Sequence, residues 1–333
     1  MKKLSVLMLL CISLFRIQSV YAQGDILEQY PHVVLSNGII EASVFLPDKA
    51  TGFYRSSRFE WSGMIRQLTY EGHTYFTTRE HREPHDPENP GHAISLAEEF
   101  SIGTSKEIPQ RFYEAQPGET FMKIGVGNLE KPVDAKRYSF GAPYKNADPG
   151  TWTVSHGKYW VEFTHELSDA YGYGYIYVKR MELSHGKPEL VISHSLKNTG
   201  TKVIIADQYN HNFFTIDNMP MAKNYEVDLF FSAQSERDLK PNVSLVNNTL
   251  VFDGEEGSVF TIFKGFSDSV SHNHCIIRCT KTGAGVDIKG DFPLSGFNFW
   301  SDGVTVCPEL FLWIVLDPGE TQSWKRIYAF FEE

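Results

Sequence analysis

The sequence predicts an all-β chain built as an antiparallel sandwich or barrel, and three observations carry that expectation. Short apolar and aromatic runs recur at close intervals over most of the 333 residues. Turn signals punctuate them, with Asn198-Thr199-Gly200 and Ser184-His185-Gly186-Lys187-Pro188 the clearest. No long stretch carries the apolar period of an amphipathic helix. Regular short strands with such punctuation are the pattern of antiparallel β architectures.

The first residues are set apart. Lys2 and Lys3 precede an apolar run from Leu4 through Phe15, and Val20-Tyr21-Ala22 has the small-x-small form of a cleavage site. Residues 1–22 therefore read as a signal peptide, with an apolar run too short for a comfortable membrane span. Cys11 lies inside that run, not after it, which argues against a lipid-attachment site. No later stretch is long and apolar enough to cross a bilayer. The expectation is an exported protein, periplasmic or secreted, with residues 23–333 forming a single domain free of linkers and repeats.

Val33-Val34-Leu35, Ser36-Asn37-Gly38 and 39–46 read as a hairpin, because Asn-Gly supplies the positive φ angles of a tight turn. A strand is expected at 64–70, turned by Glu71-Gly72 into 73–76. Residues 79–92 hold three prolines and three histidines among many charges, and cannot be regular structure. Such a loop is either a functional element or a solvated insertion. Beyond a second irregular region lies 121–127. Strands are then expected at 151–154, 159–167, 173–183, 189–197, 203–214, 229–233, 244–252, 259–263, 275–281, 304–315 and 324–331.

The strand at 203–214 is unusual. It passes from Val203-Ile204-Ile205 into Asp207-Gln208-Tyr209-Asn210-His211-Asn212 and then Phe213-Phe214. Side chains alternate along a strand. Asp207, Tyr209 and His211 thus share one face, and Gln208, Asn210 and Asn212 the other. Buried polar groups need partners, so the segment is expected to line a wet functional cavity; an idle solvent-facing strand end is the alternative.

A net charge of −10 argues against nucleic acid or an anionic membrane as partner. Cys275, Cys279 and Cys307 remain after the leader. Cys275 and Cys279 are separated by roughly 13 Å of strand, beyond a disulfide, and the cysteines read as small buried hydrophobes. His272, His274 and Cys275 are metal-binding types, but their spacing fits no standard zinc motif. Asn242-Val243-Ser244 and Asn247-Asn248-Thr249 match the sequon pattern and read as polar loops.

Two further segments complete the picture. Asn210-His211-Asn212-Phe213-Phe214 is similar to an Asn-His-x-x-Phe segment. Cys307-Pro308-Glu309-Leu310 stands one strand before Asp317-Pro318-Gly319-Glu320, which a last aromatic strand follows. Together, in this order, they resemble the galactose mutarotase-like superfamily, which includes the aldose 1-epimerases. The resemblance runs through most of the chain after the leader and implies a large antiparallel β-sandwich with a cleft on a concave sheet.

It also implies an isomerase that interconverts the anomers of a free sugar or small oligosaccharide. His211 would be the general acid and Glu309 the general base, on opposite sides of the sugar, with no metal and no cofactor. His92 is the candidate for a second, sugar-holding histidine, with His81 and His85 behind it. Asn210, Arg79 and Lys123 are further candidates to bind sugar hydroxyls or an acidic sugar's carboxylate. Trp300 and Trp313 are either stacking platforms or core. A Gly-Gly-Arg type segment of the family is absent near the N-terminus, and Asp217 lies in no recognisable motif. The same fold serves lyases and hydrolases. A lyase would need Arg79, His81, Arg82 and His85 to face the cleft. A non-catalytic sugar-binding protein would have His211 and Glu309 far apart.

Overall fold

A computed structural model describes residues 27–77, 84–103, 108–254 and 258–333. The expected leader, Arg79, His81 and Arg82 lie outside them. The chain opens with β1 (His32–Ser36), β2 (Ile40–Phe45), β3 (Ile65–Tyr70) and β4 (His73–Thr74), joined in that order as one small sheet. The Asn37 Oδ1 accepts the N–H groups of Ile39 and Ile40 and Gly38 has φ 87°, so the first turn is closed by its own side chain. Next come β5 (Leu96–Phe100), β6 (Thr120–Lys123), β7 (Gly127–Glu130) and β8 (Asn146–Asp148); the last three form a separate sheet.

The remainder is a run of antiparallel strands. In order these are β9 (Thr151–His156), β10 (Trp160–Ser168), β11 (Gly174–Leu183), β12 (Glu189–Asn198), β13 (Ile204–Asn212), β14 (Tyr225–Leu229), β15 (Gln234–Ser235) and β16 (Val243–Val246). They continue with β17 (Thr249–Phe252), β18 (Val259–Lys264), β19 (His274–Cys279), β20 (Ala284–Gly290), β21 (Gly296–Ser301), β22 (Val306–Leu316) and β23 (Thr321–Glu332). Ten of these strands form one sheet in the order β16-β17-β14-β19-β20-β23-β12-β11-β10-β9. A second sheet runs β15-β18-β21-β22-β13-β5. The all-β sandwich is as expected.

The core follows from alternation. On β10, Val161 and Phe163 turn inward; on β12, Leu190 and Ile192 do; and from the smaller sheet Phe297, Phe299 and Leu310 meet them in one cluster. Three strand expectations are corrected. The stretch 244–252 is a hairpin, β16–β17, turned by Asn247 and Asn248, both at positive φ; asparagine tolerates that region better than most residues. The alternation of buried Tyr225, Val227 and Leu229 places β14 before the apolar run at 229–233. β20 and β21 lie outside the expected strands. A Cβ on Gly285 would lie 2.2 Å from the Phe331 ring, which is why glycine stands inside β20.

β13 has two polar faces, and they have different fates. Gln208, Asn210 and Asn212 point between the sheets. Glu98 of β5 accepts from Gln208 Nε2 at 2.8 Å and from Asn210 Nδ2 at 3.3 Å, and lies 3.0 Å from His194 Nε2 on β12. Arg326 of β23 donates to Gln208 Oε1, and Asn212 donates to Pro308 O while accepting from Tyr328. Burial by itself would raise the Glu98 carboxyl, but the charges of His194 and Lys179 outweigh it and hold the group well below the usual range. The expectation that both faces line a wet cavity is thus corrected for this one: it is a buried polar network between the sheets.

Candidate functional site

The other face of β13 meets β22. Their antiparallel register runs from Ile204↔Leu316 to Gln208↔Leu312 and is met again at Phe214↔Val306. Between these points His211 falls level with Glu309. Its Nε2 lies 3.3 Å from Glu309 Oε1, and both side chains are 5% exposed. A second contact comes from Cys307, two residues before Glu309 on the same face of β22, whose Sγ lies 2.9 Å from His211 Nδ1. The imidazole stacks on Phe213 at 3.9 Å between ring centroids and meets Trp300 edge-on at 5.0 Å. The ring is therefore held by contacts at both nitrogens and by two aromatic neighbours.

Glu309 sits in the low-dielectric floor of this arrangement. Burial pushes its carboxyl up to about 7, against the pull of the Asn298 amide, which donates to Oε2 at 3.2 Å, and of the Arg58 charge. A carboxylate that titrates near neutrality is suited to taking and returning a proton.

Both groups open into a cavity of about 840 Å³, which Arg58, Asp207, Asn298, Trp300 and Trp313 also line. Arg58 donates through Nε to Glu99 Oε2 at 2.9 Å, and its guanidinium lies 4.3 Å from the ring centres of Phe59 and Phe140. Glu99 is the hub behind the wall: Tyr209 donates to it at 2.7 Å and Lys123 Nζ at 3.1 Å. Burial opposes ionisation of Glu99, yet the Arg58 and Lys123 charges win and hold its carboxyl low. Asp207 is pushed up to about 7 by burial and by the Glu99 charge.

The expected contact residues are distributed differently. Asn210 faces the interior network. Lys123 is buried behind the wall, shared between Glu99 and Tyr138 Oη at 2.6 Å, and does not line the cavity. His92 follows Gly91, a lining residue, and its Nδ1 accepts the Asp86 N–H. His85 stacks flat on Phe53 at 4.0 Å and bonds to the Phe53 carbonyl, so this member of the basic cluster is packed on the core. Arg79 and His81 fall outside the described residues. Asp217 bonds to His73 and to the Thr74 N–H at the edge of the small sheet. Trp300 and Trp313 line the cleft, and Cys275, Cys279 and Cys307 are buried and form no disulfide with one another.

Arg58, Asn298 and the Cys307 thiol escape sequence reasoning. Arg58 stands in an aperiodic run, and Asn298 in the strand that was not anticipated. Cys307 was visible only as a small hydrophobe, though its two-residue spacing from Glu309 places both on one strand face.

The donor atoms of His211, Cys307 and Glu309 lie within 4.8 Å of one another, the residue set of a three-ligand metal site. The thiol sulfur is 2.9 Å from Nδ1 and 4.0 Å from Glu309 Oε1, which in turn is 3.3 Å from Nε2, so the three side chains form one tight cluster. His274 pairs with Asp287 at 2.8 Å and Cys275 is core, so the His272, His274 and Cys275 trio has separate structural roles.

The fold is that of the aldose 1-epimerase and galactose mutarotase-like proteins. A candidate aldose 1-epimerase from Escherichia coli K12 superposes with a TM-score of 0.57 at 13% identity, over 91% of this chain and 99% of that one. An aldose epimerase homologue from C. elegans gives 0.57 at 12% identity over 91% and 99%. A galactose mutarotase-like protein from Clostridium acetobutylicum gives 0.55 at 13% identity over 91% and 95%. No family model and no curated protein matches the sequence.

Proposed function

We propose that this protein interconverts the anomers of a free reducing sugar, with His211 as general acid and Glu309 as general base. The observation that carries the reading is the 3.3 Å contact between His211 Nε2 and Glu309 Oε1 on the floor of the cleft. Ring opening requires a proton to reach the ring oxygen while another leaves the anomeric hydroxyl. Those two oxygens are bonded to the same carbon. An acid and a base close together can therefore reach both oxygens at once.

The chemistry closes on itself. Glu309 takes the hydroxyl proton, His211 gives one to the ring oxygen, and the bond from that oxygen to the anomeric carbon breaks. The open aldehyde rotates about its bond to the next carbon. Ring closure then returns both protons, with the carboxylic acid now donating and the imidazole accepting. Arg58 and Asp207 offer a donor and an acceptor for the remaining hydroxyls. We also infer that residues 23–333 work as one exported domain after cleavage at Ala22.

The test is proton NMR of anomeric equilibration on freshly dissolved α-glucose, α-galactose, arabinose, xylose, rhamnose and galacturonate. Acceleration over buffer is expected for at least one sugar, reduced by about 10²-fold or more in His211→Ala and in Glu309→Gln. Equal rates with and without protein for every sugar would overturn the reading.

A further inference from the structure

We propose that the cleft takes the reducing end of an oligosaccharide, with the sugars behind that end lying across β21 and β18 toward Phe260. The proposal rests on the reading of His211 and Glu309 as the groups at the anomeric carbon. The first argument is size. Cavities of ~300–1,000 Å³ hold drug-sized ligands, and about 840 Å³ is far more than one pyranose fills.

The second argument is direction. Residues lining the cavity come from four adjacent strands, β13, β22, β21 and β18. Neighbouring strands are ~4.8 Å apart, so the floor extends about 14 Å from His211 to β18. One strand spacing is comparable with the length of one pyranose unit. Cross-strand pairing sets the side chains in rows along this direction. Phe260 lies opposite Trp300, and Trp300 opposite Cys307; in the next row Ile262 lies opposite Asn298, and Asn298 opposite Glu309. The second row ends at the reacting pair, and the first at Cys307 beside it.

The third argument is chemistry. Phe260 is a large aromatic left 42% exposed on the strand next to the sheet edge, with the Arg237 guanidinium 5.1 Å from its ring centre. An aromatic face bordered by hydrogen-bond donors suits a sugar, which has apolar C–H faces and a rim of hydroxyls.

The experiment is calorimetric titration of the full chain with mono-, di- and trisaccharides. The series are α-1,4-gluco, β-1,4-gluco, β-1,4-xylo, β-1,4-galacto and α-1,4-galacturono. In at least one series Kd is expected to tighten roughly tenfold from monosaccharide to trisaccharide. That increment is expected to vanish in Phe260→Ala and to persist in Phe260→Tyr, with thermal melts confirming that both variants fold. A trisaccharide that binds no tighter than its monosaccharide in any series overturns the proposal. So does an increment that survives in Phe260→Ala. Anomer equilibration read by NMR on the same samples separates the two readings. Equilibration without a length increment removes the extended groove alone, and a Phe260-dependent increment without equilibration removes the epimerase alone.

Discussion

The thiol of Cys307 lies 2.9 Å from Nδ1 of His211 and 4.0 Å from Oε1 of Glu309. As general acid His211 is an imidazolium, in which Nδ1–H donates to the Cys307 sulfur and Nε2 carries the proton to be given. Cys307 is thereby a positioning residue. Cys307→Ala is expected to lower kcat about 10-fold with KM nearly unchanged, and Cys307→Ser, which keeps an acceptor, to recover most of the loss. A loss carried by KM in both variants would refute this role.

Activity should be lost on acidification. Glu309 must be ionised to act as base, and its carboxyl is held up at about 7. The prediction is a kcat/KM that falls tenfold per pH unit below about 7. A profile flat from pH 5 to 8 would show that another group is the base.

The same burial makes Glu309 a stability cost at neutral pH. Its folded value lies above the unfolded 4.5, so its stabilising share is complete below pH 4.5 and is lost as pH rises through about 7. Glu309→Gln is therefore expected to be more stable than the parent at pH 8, by about 1–3 kcal/mol, and no more stable at pH 4. Urea unfolding at the two pH values reads the difference directly.

Glu98 behaves in the opposite sense. Its carboxyl is held down despite burial, so it stabilises the fold above pH 4.5 and that share is lost as pH falls toward about 2. Glu98→Gln leaves His194 buried without its counter-charge and Lys179 with Glu60 alone. A loss of about 3–5 kcal/mol at pH 7 is expected, measurable by denaturant unfolding. A smaller difference between variant and parent at pH 3 would complete the test.

The sandwich was legible because its long strands alternate cleanly, as β10 to β12 do. The asparagine pair that turns β16 into β17 was not, since its signal lies in two φ values and not in hydrophobicity. His211 was visible through its odd polar strand, whereas its partner was reached only by family resemblance. Ninety-six residues separate His211 from Cys307, and only the β13–β22 register brings that strand to it. The misread face of β13 has a plain cause: a polar strand buried against partners on other strands looks, one residue at a time, like a polar strand facing water.

β13 keeps the acid on one face and the charge network on the other. A shift of its pairing by a single residue would exchange them, sending His211 inward toward Glu98 and leaving Asn210 beside Glu309. Such a molecule would forfeit interior bonds and the reacting group together. The strand thus serves as its own assembly check: a chain that closes wrongly here has no stable resting place, so a well-folded yet inactive population cannot accumulate.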